Sequence, residues 1–275
     1  MAAGGETARL GMSGWRQGRD LGAGVKLHRW TREPASGRAR FRRGIPRKHV
    51  DGHGGGTARM SDGPYIYDYP RPMVTVDTVV FAPHGQGLAV LLIQRGKAPF
   101  EGHWALPGGF VDMEEDLAAA AARELEEETG VAGVTLDQFR TYGAPGRDPR
   151  GRTISVVHLA LVDSRRHPVS GGSDAAKAAW WDIWTAPPMA FDHGTIVSEA
   201  RFHLQELTRH AGVGVQALES PFPFDALLEL YERIWGASIA EDPLRAQLLD
   251  LEIIEPDAWG RPGHYTFVSR HQARV

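Results

Sequence analysis

Residues 109–131 read GFVDMEEDLAAAAARELEEETGV. Gly109 is followed after five residues by Glu115, and after seven more by Arg123-Glu124-Leu125-x-Glu127-Glu128-x-Gly130-Val131. The five alanines at 118–122 favour helix strongly, and Gly130 supplies a C-terminal stop. At about 100° per residue, Glu124, Glu127 and Glu128 share one face of that helix, whereas Glu126 points elsewhere. Three carboxylates on one face repel one another unless a cation neutralises them, and oxygen-only donors select hard divalent ions such as Mg²⁺ or Mn²⁺. The plain alternative, a solvated acidic helix face, leaves the preceding Pro107-Gly108-Gly109 turn and the intervening Arg123 without a purpose.

At every defined position this stretch resembles the Nudix box. The resemblance implies an α+β protein with the Nudix fold, a mixed sheet between helices. It also implies a reaction in which helix glutamates hold metal ions against a diphosphate while water attacks phosphorus. By position, Glu124, Glu127 and Glu128 correspond to the metal ligands, joined by the backbone carbonyl of Gly108 or Gly109. Arg123 and Glu115 correspond to partners that orient the helix through charge-assisted hydrogen bonds. The ions would screen phosphate charge and lower the pKa of a bound water. For the general base, Glu124, Asp174 and other acids stay open.

The surrounding sequence fits an enzyme of one or two domains. Its 275 residues are 42% hydrophobic, enough to bury sizeable cores. Absence of cysteine excludes disulfides, thiolate zinc sites and cysteine nucleophiles. No apolar run approaches the roughly 18 to 20 residues needed to span a bilayer, and no secretory h-region opens the chain, so a cytoplasmic location is expected. The twelve histidines contain no HExxH.

A net charge of -3 conceals an asymmetry. Residues 1–59 carry 13 Lys+Arg against 4 Asp+Glu, a net +9, leaving 18 against 30, or -12, for residues 60–275. The basic, Gly- and Ser-rich segment 1–59 is expected to be disordered. A nucleic-acid-binding arm and a transit peptide are two readings of it. The preferred one is upstream sequence translated from an early start, because Met60 is followed by SDGPYIYDYPRPMVTVDTVVF, a polar lead-in and then a strand.

From residue 73, MVTVDTVVFA and LAVLLIQR are β-rich runs separated by His84-Gly-Gln-Gly87, as in a hairpin. TISVVHLALV at 153–162 is a further strand, and AAWWDIWTA closes the expected catalytic domain, 60–190, ahead of Pro187-Pro188. Two stretches, RGKAPFEGHWALPGGFV and YGAPGRDPRGRTIS, are similar to ADP-ribose pyrophosphatases, and Pro145 falls where members acting on ADP-ribose tend to carry a proline. This similarity implies ADP-ribose or a related nucleoside diphosphate sugar as substrate, with AMP and a sugar phosphate as products. Arg147, Arg150 and Arg152 are candidates for holding a diphosphate or the terminal ribose, since guanidinium groups bind phosphate oxygens bidentately. A solvated polar hairpin is the alternative. Arg95 and Trp104 complete the candidate substrate residues. The upstream motif expected of a coenzyme A specialist is absent. The Ser220-Pro-Phe-Pro-Phe224 string lies too far downstream to mark an NADH pyrophosphatase and reads as a turn entering a helix.

Residues 191–275 read as a second small domain. A connecting helix in FDHGTIVSEARFHLQELTRH precedes amphipathic helices in FDALLELYERIWG and DPLRAQLLDL, and LEIIEPDAWGRPGHYTFV reads as a β-hairpin wing. The order resembles the winged helix of Nudix-related transcriptional regulators, in which a ligand such as ADP-ribose alters operator binding. That resemblance implies DNA as a partner, and the family implies a homodimer. Charge argues against DNA, because the segment holds 7 arginines, no lysine and 13 acids. Its recognition helix offers only Arg245, beside Glu241, Asp242 and Asp250, while the wing offers Arg261, His264 and Arg270. A winged helix kept for dimerisation or for covering the active site is the structural alternative. Two functions are therefore carried forward: a metal-dependent ADP-ribose hydrolase and an ADP-ribose-responsive regulator.

Overall fold

The first strand, β1 (Met73–His84), is buried without a break from Thr75 to Ala82, the pattern of a strand covered on both faces. It turns through Gly85 and Gln86 into β2 (Gly87–Arg95), with Phe81 opposite Val90 and His84 opposite Gly87. A computed structural model describes residues 69–169, 175–214 and 216–268, all within the compact unit Gly63–Val275. The basic segment 1–59 therefore lies outside the described residues, as do Asp174 and Arg270.

After the short strands β3 (Trp104–Ala105) and β4 (Gly108–Phe110) comes helix α1 (Leu117–Thr129). Asp116 caps it by accepting from the Ala118 N–H at 2.9 Å, and Gly130 ends it in the left-handed conformation at φ 75°, donating to the Glu126 carbonyl. A hairpin of β5 (Asp137–Tyr142) and β6 (Thr153–Leu161) follows, then β7 (Ala175–Asp182). The strand order is β3-β2-β1-β6-β5, with β4 added to β1 and β7 to β2. Because β1 and β6 are parallel, Met73 opposite Thr153 through Phe81 opposite Leu161, the chain must cross over between them, and α1 lies on that crossover.

Alternate residues of β1 feed separate cores. Val80 and Ala82 meet Leu125 and Val131 at the end of α1. Val79 and Phe81 point to the other face, where helix α2 (His193–Leu207) contributes Ile196, Ala200 and Leu204. That second core continues without interruption into the C-terminal elements. These are β8 (Phe222–Pro223), α3 (Phe224–Trp235), α4 (Glu241–Asp250), β9 (Ile254–Pro256) and β10 (His264–Phe267). The strands form a separate sheet, β8-β10-β9. The expected helices and wing are present, and the Phe-Pro string pairs with β10 as it enters α3. The architecture is α+β, a mixed sheet between helices followed by a small winged-helix arrangement. Among the described residues no helix is long and apolar enough to cross a membrane.

Candidate active site

The ends of β1, β2 and β4, the flank of α1, the β5–β6 loop and the head of α2 enclose one cleft of about 400 Å³. Its floor depends on close backbone approach. A Cβ on Gly108 would lie 2.2 Å from the Val76 carbonyl and 2.8 Å from the Asp77 Cα, and one on Gly109 would lie 2.3 Å from the Glu124 carboxylate. The Gly-Gly pair therefore brings β4 against β1 on one side and leaves room for the helix carboxylates on the other.

Arg123 organises the helix face. Its Nε and Nη2 donate to the two oxygens of Glu115, each at 2.8 Å, its Nη1 donates to Glu124 at 2.8 Å, and Nη2 also reaches the Phe110 carbonyl at 3.2 Å. Those bonds, those to Glu115 foremost, raise the guanidinium pKa and hold Glu115 below the usual carboxylate range. Glu127 stands at the edge, 3.5 Å from Arg123 and half exposed.

Glu124, Glu127 and Glu128 all line the cleft. Glu128 is buried, and its Oε2 accepts from the Gly108 N–H at 2.9 Å. Burial, with Glu124 and Asp77 nearby, lifts its carboxyl to about 7 against the hydrogen bond from Gly108. Burial likewise raises Glu124, opposed by Arg123. Among the described residues no three acidic or imidazole groups converge into a ready cation cage, because Arg123 stands between Glu124 and Glu127. The donor chemistry nevertheless fits a hard divalent ion. All the donors are oxygen, and a buried carboxylate beside two like charges is relieved by a cation.

The same cleft carries arginines besides Arg123. Arg95 and Arg150 both line the cleft, each held against an aromatic ring: Arg95 lies 4.9 Å and Arg150 5.6 Å from the Phe191 centroid, and Arg150 also lies 5.1 Å from that of Phe110. Burial, then the charge of Arg150, lowers the Arg95 pKa. Arg95 donates to the Pro99 carbonyl at 2.8 Å, and Arg150 grips Asp148 at 2.8 Å.

The 147–152 loop is solvated over residues 149–152 but buried at its start. The Arg147 and Asp148 side chains are only 5% and 3% exposed. Arg147 lines the cleft, but its fork is occupied by Asp192 at 2.9 and 2.6 Å. Burial disfavours the charged guanidinium, and Asp192 overcomes this to leave the pKa raised. Arg152 and Trp104 form no part of the cleft lining. Arg152 bonds the Gly143 carbonyl, and Trp104 packs edge-on against Trp181 at 5.1 Å.

Among the cleft residues that escaped the sequence reading are Asp77, Phe110, Phe191 and His193. Asp77 is buried, accepts from the Ser155 hydroxyl, and faces Arg147 at 3.9 Å and His193 at 3.6 Å. A lone acid inside the otherwise uncharged run MVTVDTVVFA was a usable signal, since charged residues are rarely buried without a partner. His193 is buried, which lowers its pKa and keeps the ring neutral. Its Nδ1 accepts from the Leu106 N–H at 2.9 Å, so the proton sits on Nε2, toward Asp77.

The NUDIX domain matches residues 71–200. An ADPR responsive transcriptional repressor, NtrR, from Acinetobacter baylyi is 33% identical over 192 residues, 68% of this chain and 76% of the relative. An ADP-ribose pyrophosphatase from Methanocaldococcus jannaschii is 37% identical over 131 residues, 48% of this chain and 74% of the relative. Among solved structures, Shewanella oneidensis NrtR complexed with a 27mer DNA superposes with a TM-score of 0.60 at 32% identity, covering 71% of this chain and 93% of that one. Identity of about a third, carried across about three quarters of two relatives, exceeds what a shared fold requires, and the chain belongs to the NUDIX domain family.

Proposed function

We propose that this protein hydrolyses the diphosphate bond of ADP-ribose or a closely related nucleoside diphosphate sugar, adding water across a P–O bond to release AMP and a sugar phosphate. The observation that carries the reading is that one cleft is lined both by the carboxylates of Glu124, Glu127 and Glu128 and by the guanidinium groups of Arg95 and Arg150. A diphosphate accompanied by divalent cations would need both kinds of group.

In this reading the three glutamates and the Gly108 carbonyl hold Mg²⁺ or Mn²⁺. The bound ions supply neutralisation of phosphate charge and acidification of water. Arg123 and Glu115 fix the carboxylates in position, and the two arginines hold the phosphate oxygens. Glu124 is the leading general base within the described residues, because burial raises its affinity for a proton while Arg123 keeps it oriented. Similarity to a relative named ADP-ribose pyrophosphatase supports the choice of substrate.

Incubating the full chain with Mg²⁺ and ADP-ribose beside a Glu127→Gln, Glu128→Gln variant, with AMP measured by chromatography, tests the reading. AMP release lost in the variant supports it; no turnover by the wild type sinks it.

Similarity to a repressor over 76% of that protein's length favours a second reading, a DNA-binding regulator responsive to ADP-ribose. The C-terminal charges oppose it. Arg245 is engaged by Glu241 and Asp242 on its own helix, and Arg261 bonds the buried Asp257 at 2.7 Å. Phosphate contacts made by free cations weaken steeply with salt. Promoter-DNA binding that is strong at low salt and falls along a salt series would make this reading the leading one, and a flat, negligible response would remove it.

A further inference from the structure

Three consecutive residues at the start of α2 reach three different parts of the cleft. Phe191 is a non-glycine residue at φ 53°, a conformation an aromatic side chain rarely adopts unless its surroundings hold it there. Its ring lies under both Arg95 and Arg150 and meets Phe100 edge-on at 4.8 Å. Two like-charged guanidinium groups on one ring repel each other, and the electron-rich faces of Phe191 and Phe110 offset that repulsion. Asp192 takes the whole fork of Arg147. His193 accepts from Leu106, two residues before Gly108.

We infer that Phe191-Asp192-His193 is the positioning device of the anion subsite, with Phe191 holding Arg95 and Arg150 as the pair that grips phosphate oxygens. The inference rests on the reading of this cleft as a diphosphate site. None of the three residues need touch the reacting phosphorus. Asp192 and His193 instead fix the β5–β6 loop and the approach to β4, so that the arginines and the carboxylates line one cleft. A border drawn at 190 would separate the cleft from the turn that builds its basic side.

Phe191→Gly separates positioning from folding, because glycine accepts the positive φ while the ring is lost. Full-length wild type, Phe191→Gly and Phe191→Tyr are titrated calorimetrically with inorganic diphosphate and with ADP-ribose in Mg²⁺, and circular dichroism checks that each is folded. Tenfold or greater weakening of diphosphate binding in Phe191→Gly, restored within about threefold in Phe191→Tyr, is the expected result. Diphosphate affinity equal in wild type and Phe191→Gly overturns the inference, and so does a wild type that binds no diphosphate. Should the wild type bind diphosphate in this Phe191-dependent way but ignore ADP-ribose, the positioning role stands and the choice of substrate falls.

Discussion

Arg147 and Asp192 are joined by two parallel hydrogen bonds of 2.9 and 2.6 Å across 45 residues of sequence, tying the β5–β6 loop to the first turn of α2. The Arg147 side chain is 5% exposed and faces Asp77 at 3.9 Å, whereas Asp192 is 28% exposed, so a buried guanidinium is held by a partly exposed carboxylate.

Removing Asp192 takes two close hydrogen bonds from the buried Arg147 and leaves it the longer contact to Asp77. Asp192→Ala is expected to destabilise by roughly 3 kcal/mol, whereas Arg147→Met with Asp192→Ala should recover part of that loss. Urea denaturation of the two single variants and the double variant measures the coupling. Additive losses would mean that the two side chains do not act as a pair.

Glu128 makes metal-free stability depend on pH. Its carboxyl is raised from 4.5 to about 7 in the folded protein, so between those values the unfolded chain releases a proton that the folded chain keeps. Stability therefore declines as pH rises across that window and levels off above about 7. Divalent cations compete with the same proton, so the rise in Tm produced by Mg²⁺ should be larger at pH 8 than at pH 6. Thermal melts with and without Mg²⁺ read this directly, and Glu128→Gln should flatten the pH response.

Adjacent glycines should fail in different ways. Gly108→Ala drives a methyl group into the Val76 carbonyl and the Asp77 Cα, both backbone atoms, and should cost about 1–3 kcal/mol or more. Gly109→Ala meets first the Glu124 carboxylate, the end of a flexible side chain. It should keep most of its Tm while losing metal-dependent turnover. Similar Tm losses in the two variants would contradict this picture of the floor.

Arg123→Lys keeps the charge but replaces a planar fork with a single ammonium, which cannot bond both Glu115 oxygens and Glu124 together. Turnover of ADP-ribose is expected to fall tenfold or more, in the range usual for lost support of metal ligands. Steady-state kinetics beside a thermal melt separates this from unfolding, and wild-type kcat in the variant would show that the fork is dispensable.

What the sequence determined by itself is local. Alanine content, the glutamate spacing and Gly130 specified α1 and put Glu124, Glu127 and Glu128 on one face, since helical geometry converts spacing into direction over a few residues. Apolar runs specified β1, β2 and β6, whereas Gly108-Gly109, read as part of a turn, begins strand β4 in close approach to β1. Tertiary structure alone decided which arginines meet the carboxylates. Arg95 and Arg150 line the cleft, while Arg152 and Trp104 do not, because strand register and loop packing set where each side chain ends up. Burial of Arg147 and Asp148, the role of Asp77 inside β1, and the Phe191-Asp192-His193 turn depend on contacts between segments tens of residues apart. No periodicity encodes such contacts, because they arise only when the sheet aligns β1 with β6 and α2 packs across it.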